Sequence, residues 1–518
     1  MAQQTESRVK KTFLNARVNL IFYFLNLVLS FFSRKIFLDS LGADFIGLTG
    51  TLYNLLGFLN IVELGIGAAV GYVLYKPLYD KDQDQINEII SVFGFLYRCV
   101  GCIILVGGVI LSLFLPLIFP DITINMPVVY AAYYSFLASS LIGYFINYKQ
   151  TLLSADQRNY VVTAYFQTAN ILKILIQLLC AYYTGNYYLW IFIEFFFGIV
   201  YTFILNWKIN QVYPWLKSDV RSGRKLLSKY PRVIILTKQL FVHKIGELVQ
   251  FQLSPFLVYA FSSLQSVAYY GNYTLLTSKL SSLFSNFLGS SAAGVGNLIA
   301  EGDKNKIMRV YWELFSIRFF FVGISVAFLY CVIPPFITLW LGSEYVMSQS
   351  VLVLVTIEFM LLLLIGPTHE FLGGYGLYRD IWAPLVESVI FVIVALVGGY
   401  FWQLEGVLLG GIVSRIIIIQ GWKPYFLFKQ ALHVPFHVYV RGFVNLLFCV
   451  SIGCIIFFML HSAIVGTCLS LTSWMDLIIY AACVGGSISV IQLVVLYIGS
   501  KGMRDFVARF VSKITCRK

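Results

Sequence analysis

Leu38–Leu78 reads LDSLGADFIGLTGTLYNLLGFLNIVELGIGAAVGYVLYKPL. A short loop, Leu41–Phe45, is followed by a mostly apolar run and then a polar turn. The run is long enough to cross a bilayer, which takes about 20 apolar residues. One acid, Glu63, stands in its middle. An ionisable side chain at membrane depth is a functional candidate by default. Part of the stretch recurs later in the chain. Gly47, Leu52, Leu59, Gly65, Ala68 and Ala69 match Gly271, Leu276, Leu283, Gly289, Ala292 and Ala293 at one constant offset.

Composition extends this reading to the whole chain. Apolar residues make up 59% of the 518 and charged residues only 12%. A soluble domain carries about twice that share of charge. The chain therefore reads as an all-α, polytopic membrane protein rather than a soluble enzyme with an anchor. Applying the same length rule along the sequence gives about fourteen spans, from 18–38 and 46–75 to 441–462 and 475–499. The net charge of +13 is dispersed over short loops and the tail, so it fits membrane topology rather than nucleic-acid binding. With the N-terminus inside, most Lys and Arg fall in cytoplasmic segments, and Asp39, Asp44, Asp121, Glu344 and Glu405 fall outside. Both termini are then cytoplasmic.

The first six spans and the next six share an order of features. In each half the second span ends in a small-residue run, 65–71 or 289–296. A polar turn follows, and then an arginine in the third span, Arg98 or Arg318. The predicted organisation is a six-helix bundle at 1–210, a basic cytoplasmic linker at 211–232 and a second bundle at 233–422. Two additional transmembrane helices occupy 423–500, and a basic amphipathic tail occupies 501–518. Six spans return the chain to the same side, so the halves are parallel, pseudo-symmetric repeats. Such repeats enclose a central cavity and alternate access by rocking. The tail, with Met503, Phe506 and Phe510 on one face and basic residues opposite, is expected to lie on anionic lipid.

Seven cations fall inside spans: Arg98, Lys173, Lys238, Lys244, Lys279, Arg318 and Arg415. Five acids do too: Glu63, Glu194, Glu247, Glu358 and Glu387. Each such charge costs about 2.5–3.5 kcal/mol at a helix centre on insertion scales. These groups face a wet cavity, pair internally, or snorkel. Arg98, Lys238, Arg318 and Arg415 lie toward inner ends, where snorkelling serves. Lys244 and Glu247 share a helix face and can neutralise one another. Lys279, on the repeat counterpart of Leu38–Leu78, is the leading candidate for contact with an anionic substrate. Lys173, Lys244, Arg98 and Arg318 complete the candidate anion-binding set. Glu63, Glu358 and Glu387 are the candidates for coupling to a proton or sodium ion. No cofactor, metal or catalytic constellation is expected. His369-Glu370 lacks the second histidine of a zinc motif, and Gly65-x-Gly67-x-x-x-Gly71 misses the dinucleotide-binding spacing. The Cys99/Cys102 pair, at i,i+3 in a span, reads as core packing.

Several motifs resemble the polysaccharide transporter, or oligosaccharide flippase, family of the bacterial multidrug, oligosaccharidyl-lipid and polysaccharide exporter superfamily. They are Arg34-Lys35-Ile36-Phe37-Leu38, Leu41-Gly42 with Gly47-Leu48, Glu63-Leu64-Gly65-Ile66-Gly67 with Ala69, and Leu74-Tyr75-Lys76-Pro77-Leu78 with the turn Asp80–Asp84. The resemblance implies two bundles around a cavity in a bacterial cytoplasmic membrane. It also implies translocation of an undecaprenyl-diphosphate-linked oligosaccharide for O-antigen, capsule or exopolysaccharide synthesis. Membrane lipids, a polysaccharide polymerase and glycosyltransferases are the implied partners. A lipid II flippase and a cation-coupled multidrug exporter are the alternatives within the superfamily. A membrane-bound glycosyltransferase would need a catalytic base or a large outer loop, and the outer loops are short.

Overall fold

The computed structural model describes residues 8–63, 65–120, 122–156, 158–288, 295, 298–299, 301–377, 379–380, 382–465 and 472–515. Side chains at 1–13, 15–16, 61–62, 68, 239–240, 242–248, 250–251, 286–288, 462–465 and 510–518 also lie outside the description. Among the described residues the chain is helical throughout, with no strand. Ten helices among the described residues are long and apolar enough to cross a membrane. The chain is a multi-pass membrane protein, and it divides into two compact units, Met1–Ala268 and Tyr269–Lys518.

The first unit opens with α1, Arg8–Leu59, which is interrupted at Gly42 (φ 81°). A Cβ there would touch nothing within 4 Å, so the left-handed backbone rather than crowding calls for glycine. The break separates the first predicted span from the second. The second span is itself bent, through a 3₁₀ turn at Asn60–Glu63 and Gly65 (φ 90°), before α2, Ile66–Asp80. The polar turn that follows works as a helix start. Asp82 accepts from the Gln85 amide at 2.9 Å and caps α3, Gln83–Leu113. A short α4, Leu115–Ile118, leads to α5, Met126–Ile146, and α6, Gln150–Ala155. Then come α7, Asn159–Thr184, and α8, Tyr187–Val212.

Polar side chains join these helices. Asn26 on α1 donates to Gln167 on α7 at 2.9 Å, and Tyr133 on α5 donates to the Gly108 carbonyl of α3 at 2.6 Å. The predicted linker is folded and carries a one-turn α9, Gly223–Leu226. The following α10, Pro231–Phe261, packs on α1 and α2, and the Gln252 amide fills the space left by Gly57. The sequence reading opened the second bundle at 233, whereas this helix groups with the first unit. Helix α11, Leu264–Leu288, begins against Gly47, where a Cβ would fall 2.1 Å from the Leu264 carbonyl oxygen. It is long enough to span but too polar to count among the ten, because Gln265, Asn272 and Lys279 interrupt it. The small-residue run 289–296 lies outside the described residues apart from Val295.

The second unit is built on α12, Lys304–Trp340. Asp303 caps it, accepting from Asn305 N at 2.9 Å and Lys306 N at 3.1 Å, much as Asp82 caps α3. Helix α13, Gln349–Gly374, follows. Helix α14, Trp382–Arg415, breaks at Trp402–Gln403, which separates two predicted spans. Its legs meet at Gly398 and Gly406, where a Cβ on Gly406 would sit 1.9 Å from the Gly398 carbonyl oxygen. The second leg runs on through π-helical turns at Ile416–Trp422 and Phe428–Leu432, which flank α15, Lys423–Leu427. The closing pair is α16, Phe436–Val465, and α17, Trp474–Gly499.

Gln492 on α17 is fully buried among α12, α16 and α17, in the space left by Gly323 and Gly453. Its amide donates to the Val450 carbonyl at 3.0 Å. Small residues with a buried amide between them are a usual means of holding membrane helices together. The tail forms α18, Lys501–Thr515. Its first turn differs from the lipid-lying expectation. Gly502 and Met503 pack on α12, and Arg509 reaches Glu313 at 2.5 Å. The cysteine expectation also changes, since Cys99 and Cys102 are exposed free thiols rather than core.

Candidate functional site

In the first unit Glu63 ends the 3₁₀ turn between α1 and α2. That bend carries its carboxylate to tyrosines on two other helices. Tyr97 of α3 donates to Oε1, and Tyr144 of α5 donates to Oε2 at 2.7 Å. The Tyr144 hydroxyl also lies 3.0 Å from Asn60 Oδ1. Among the described residues no cation pairs with Glu63. Among those residues its carboxylate is held by phenolic hydrogen bonds. Tyr97 and Tyr144 were not singled out by the sequence reading. Nothing in one sequence relates an acid to tyrosines 34 and 81 positions away.

Lys173 is placed differently. It points from α7 to Glu194 on α8 at 2.6 Å, and Gln177 donates to the other Glu194 oxygen at 3.0 Å. Gln177 also donates to the Trp190 carbonyl at 3.2 Å. This is a closed, satisfied pair inside the bundle. Arg98 is exposed on α3, consistent with snorkelling.

The second unit holds its charges in pairs. Arg318 of α12 is buried, 3.0 Å from Glu370 of α13, and donates to the Leu363 carbonyl at 3.3 Å. Gly366 makes room for it, since a Cβ there would sit 2.3 Å from the guanidinium. Arg415 meets Glu358 at 2.6 Å, with Glu387 in electrostatic reach. Arg318 and Arg415 are thus each paired with a helix-borne acid inside the protein. Lys423 meets the buried Asp380 at 2.7 Å, beside His369. Lys279 is half-buried on α11. The side chains of Lys244 and Glu247 lie outside the described residues.

The structure thus brings Glu358 and Glu387 to one arginine, and gives Lys173 and Arg318 an acid each. Glu370, dismissed in the sequence as half a zinc motif, is the counter-ion of Arg318. A count of charges in spans implies such pairing without revealing the partners. Near the Gly42 break, the first unit also contains a cavity of about 270 Å³ lined by Asp44, Thr123, Asn125, Tyr187 and Gln265. Asp44 there accepts from the Thr123 hydroxyl at 2.6 Å.

No family model and no curated protein matches this sequence. Solved structures match it in fold. The lipid II flippase MurJ, in an inward closed conformation, is similar at a TM-score of 0.66 and 14% identity, over 94% of this chain and 99% of that one. A multidrug resistance MATE family transporter of the MOP superfamily, in its inward-facing conformation, is similar at 0.57 and 14%, over 81% of this chain and 99% of its own. An outward-facing MATE family structure gives 0.50 and 14%, over 85% and 94%. The chain has the polytopic helical fold of these transporters.

Proposed function

We propose that this protein is a flippase of the MOP kind. It carries an undecaprenyl-diphosphate-linked oligosaccharide across the bacterial cytoplasmic membrane, for surface polysaccharide synthesis, by alternating access. The observation that carries the reading is the extent of the fold match. The lipid II flippase accounts for 94% of the chain and the inward-facing exporter for 81%, although each is itself covered to 99%. The flippase architecture thus spans more of this chain. The oligosaccharide-flippase motifs of the first two spans supply the choice of cargo.

Charge placement refines the proposal. Lys173, Arg318 and Arg415 are each engaged by a carboxylate, so a diphosphate would have to displace that acid to bind them. Lys279 lies on the one long helix, among those with described side chains, that is too polar for lipid. Such a helix belongs beside water or protein. Lys279 is assigned to the diphosphate, with Lys244 as a second contact. Glu63, which has no cation partner among the described residues, is the leading coupling group, ahead of Glu358 and Glu387. Both termini are assigned to the cytoplasm, and the protein acts as a carrier rather than a catalyst.

The test is complementation of a host that lacks its own oligosaccharide flippase. Wild type should restore surface glycan. Lys279→Ala, at equal membrane level by blot, should not. Wild-type restoration with a fully active Lys279→Ala variant removes Lys279 from the site. Lipid II is the second reading, favoured by the 94% coverage of the lipid II flippase fold. Rescue of a host depleted of its lipid II flippase, with no effect on surface glycan, would select it.

A further inference from the structure

The segment between α8 and α10 has the composition of a flexible basic linker, yet it is built onto the first unit. Leu216, Val220 and Tyr230 are buried. Tyr213 donates to Asp156 at 2.8 Å, tying the start of the segment to the turn after α6. The Lys217 amide donates to Asn87 at 2.8 Å, and the Asp219 amide to Ser91 at 2.9 Å. Gly223 lies so close to α3 that a Cβ would fall 2.3 Å from the Ser91 carbonyl oxygen. At the far end Tyr230 donates to Glu88 at 2.5 Å, and Lys229 pairs with the same carboxylate at 2.6 Å. Burial, then the Glu88 carboxylate, hold the Tyr230 phenol above its ordinary pKa, so it remains a donor at neutral pH.

This folding leaves an uncompensated set of cations. The segment's one acid, Asp219, is itself exposed, but its carboxylate accepts from the backbone amides of Arg221 at 3.0 Å and Ser222 at 3.2 Å and forms no ion pair among the described residues. Lys217, Arg221, Arg224 and Lys225 are exposed. None of the four has an ion-pair partner among the described residues. Arg224 lies within electrostatic reach of Cys99 on α3, next to the exposed Arg98. Trp207, exposed near the end of α8, and the half-exposed Trp215 flank the segment. Indole rings in such positions mark headgroup depth. A guanidinium there pairs with phosphate through two parallel hydrogen bonds.

We infer that the folded segment Lys217–Lys225, together with Arg98 of α3, is a docking surface for the phosphate headgroups of anionic membrane lipids. A loose tether would pay the entropy of ordering these side chains each time it bound. Here the backbone is already fixed by α3, and the cations are held on one short stretch. These cations all belong to the first unit, are different residues from the cargo contact assigned to Lys279, and would serve whatever the cargo is.

Native mass spectrometry of the purified full-length protein tests it, by titration with phosphatidylglycerol or phosphatidylcholine. A cation at the membrane surface contributes about 1 kcal/mol, or roughly fivefold in affinity. Arg221→Gln/Arg224→Gln/Lys225→Gln should therefore bind phosphatidylglycerol at least about tenfold more weakly, with phosphatidylcholine unchanged. Arg221→Lys/Arg224→Lys should keep the preference for phosphatidylglycerol. Lys501→Gln/Arg504→Gln, which removes exposed charge from the tail, should leave it within about twofold. In the wild-type protein, where folding is not in question, raising salt from about 0.05 to about 0.5 M should weaken phosphatidylglycerol binding alone. The inference is overturned if the triple variant keeps wild-type affinity, if phosphatidylcholine binds wild type equally well, or if the tail variant loses as much. It is also overturned if a polyprenyl diphosphate binds at this surface at least tenfold more tightly than phosphatidylglycerol, which would give the surface to cargo.

Discussion

Glu63, in the bend between α1 and α2, and Glu358, within α13, are both helix-bundle carboxylates, and the protein stabilises them by different means. Glu358 takes the Arg415 guanidinium at 2.6 Å. Glu63 takes two phenolic hydrogen bonds and, among the described residues, no cation. In a low-dielectric interior an opposite charge at contact strongly favours ionisation, whereas neutral donors stabilise the anion less. An acid in an ion pair cannot gain a proton without stranding its partner's charge. An acid held by tyrosines can, because phenols keep hydrogen bonds to a neutral carboxyl. The second unit therefore uses charge to fix helices together, at Arg318–Glu370, Arg415–Glu358 and Lys423–Asp380. In the first unit Glu63 is held by neutral donors instead. Lys173–Glu194 shows that the first unit also uses pairs, so the distinction belongs to the Glu63 site itself.

The largest expected effect comes from breaking a buried pair. Glu370→Ala leaves the Arg318 guanidinium buried and unmatched, which should cost about 3–5 kcal/mol. Thermal unfolding in detergent would show the loss, and Arg318→Met/Glu370→Met should recover most of it. A Glu370→Ala protein with a wild-type melting temperature would mean that the pair is not what holds α12 to α13. A neutral reference for the same unit is Gly453→Ala. The added methyl would lie 2.6 Å from the Gln492 amide and should cost about 1–3 kcal/mol by overpacking. If the two variants melt alike, charge pairing carries no special weight in the second unit.

Tyr97→Phe and Tyr144→Phe come next in size. Each removes one donor from a carboxylate and should cost about 1.5–3 kcal/mol, the range for hydrogen bonds to charged groups. Tyr144→Phe should be the milder, because Asn60 then remains near Glu63 as a potential donor once its amide is turned. Equal and negligible losses would show that water rather than the tyrosines stabilises Glu63.

The helical class, the multi-pass character and most of the helix limits were legible because they follow from hydrophobic runs and from caps such as Asp82 and Asp303. The break at Gly42 fell in the loop Leu41–Phe45 that the sequence already marked. What was not legible is pairing at a distance. Arg318 and Glu370 are 52 residues apart and belong to different helices, so snorkelling and pairing are equally consistent with their sequence. The folding of the linker was hidden for a related reason, since the contacts that fix it come from Asn87, Glu88 and Ser91, more than a hundred residues earlier. The likeness of the second span in each half was visible, yet one carries a tyrosine-held acid and the other a lysine.

The smallest effect on stability, and the sharpest use of the comparison, is Glu63→Gln. Glutamine has the shape of a protonated glutamate. Its carbonyl oxygen accepts from Tyr97, and its amide donates to the Tyr144 hydroxyl, which can turn its own proton to Asn60 Oδ1, 3.0 Å away. Both contacts to the tyrosines keep a donor and an acceptor, so the melting temperature should change by no more than about 1 kcal/mol allows. Transport should respond quite differently. If the carrier cycle needs Glu63 to gain and lose a proton or a cation, the variant is fixed in the neutral state. Surface glycan should then fall well below the wild-type level, with no pH dependence left in the residual activity. Glu358→Gln gives the opposite pattern, because it strands Arg415 and should lower stability before it touches the cycle. A Glu63→Gln protein that transports with the wild-type pH profile would make Glu63 a structural acid like the others, and the contrast between the two carboxylates would be one of geometry only.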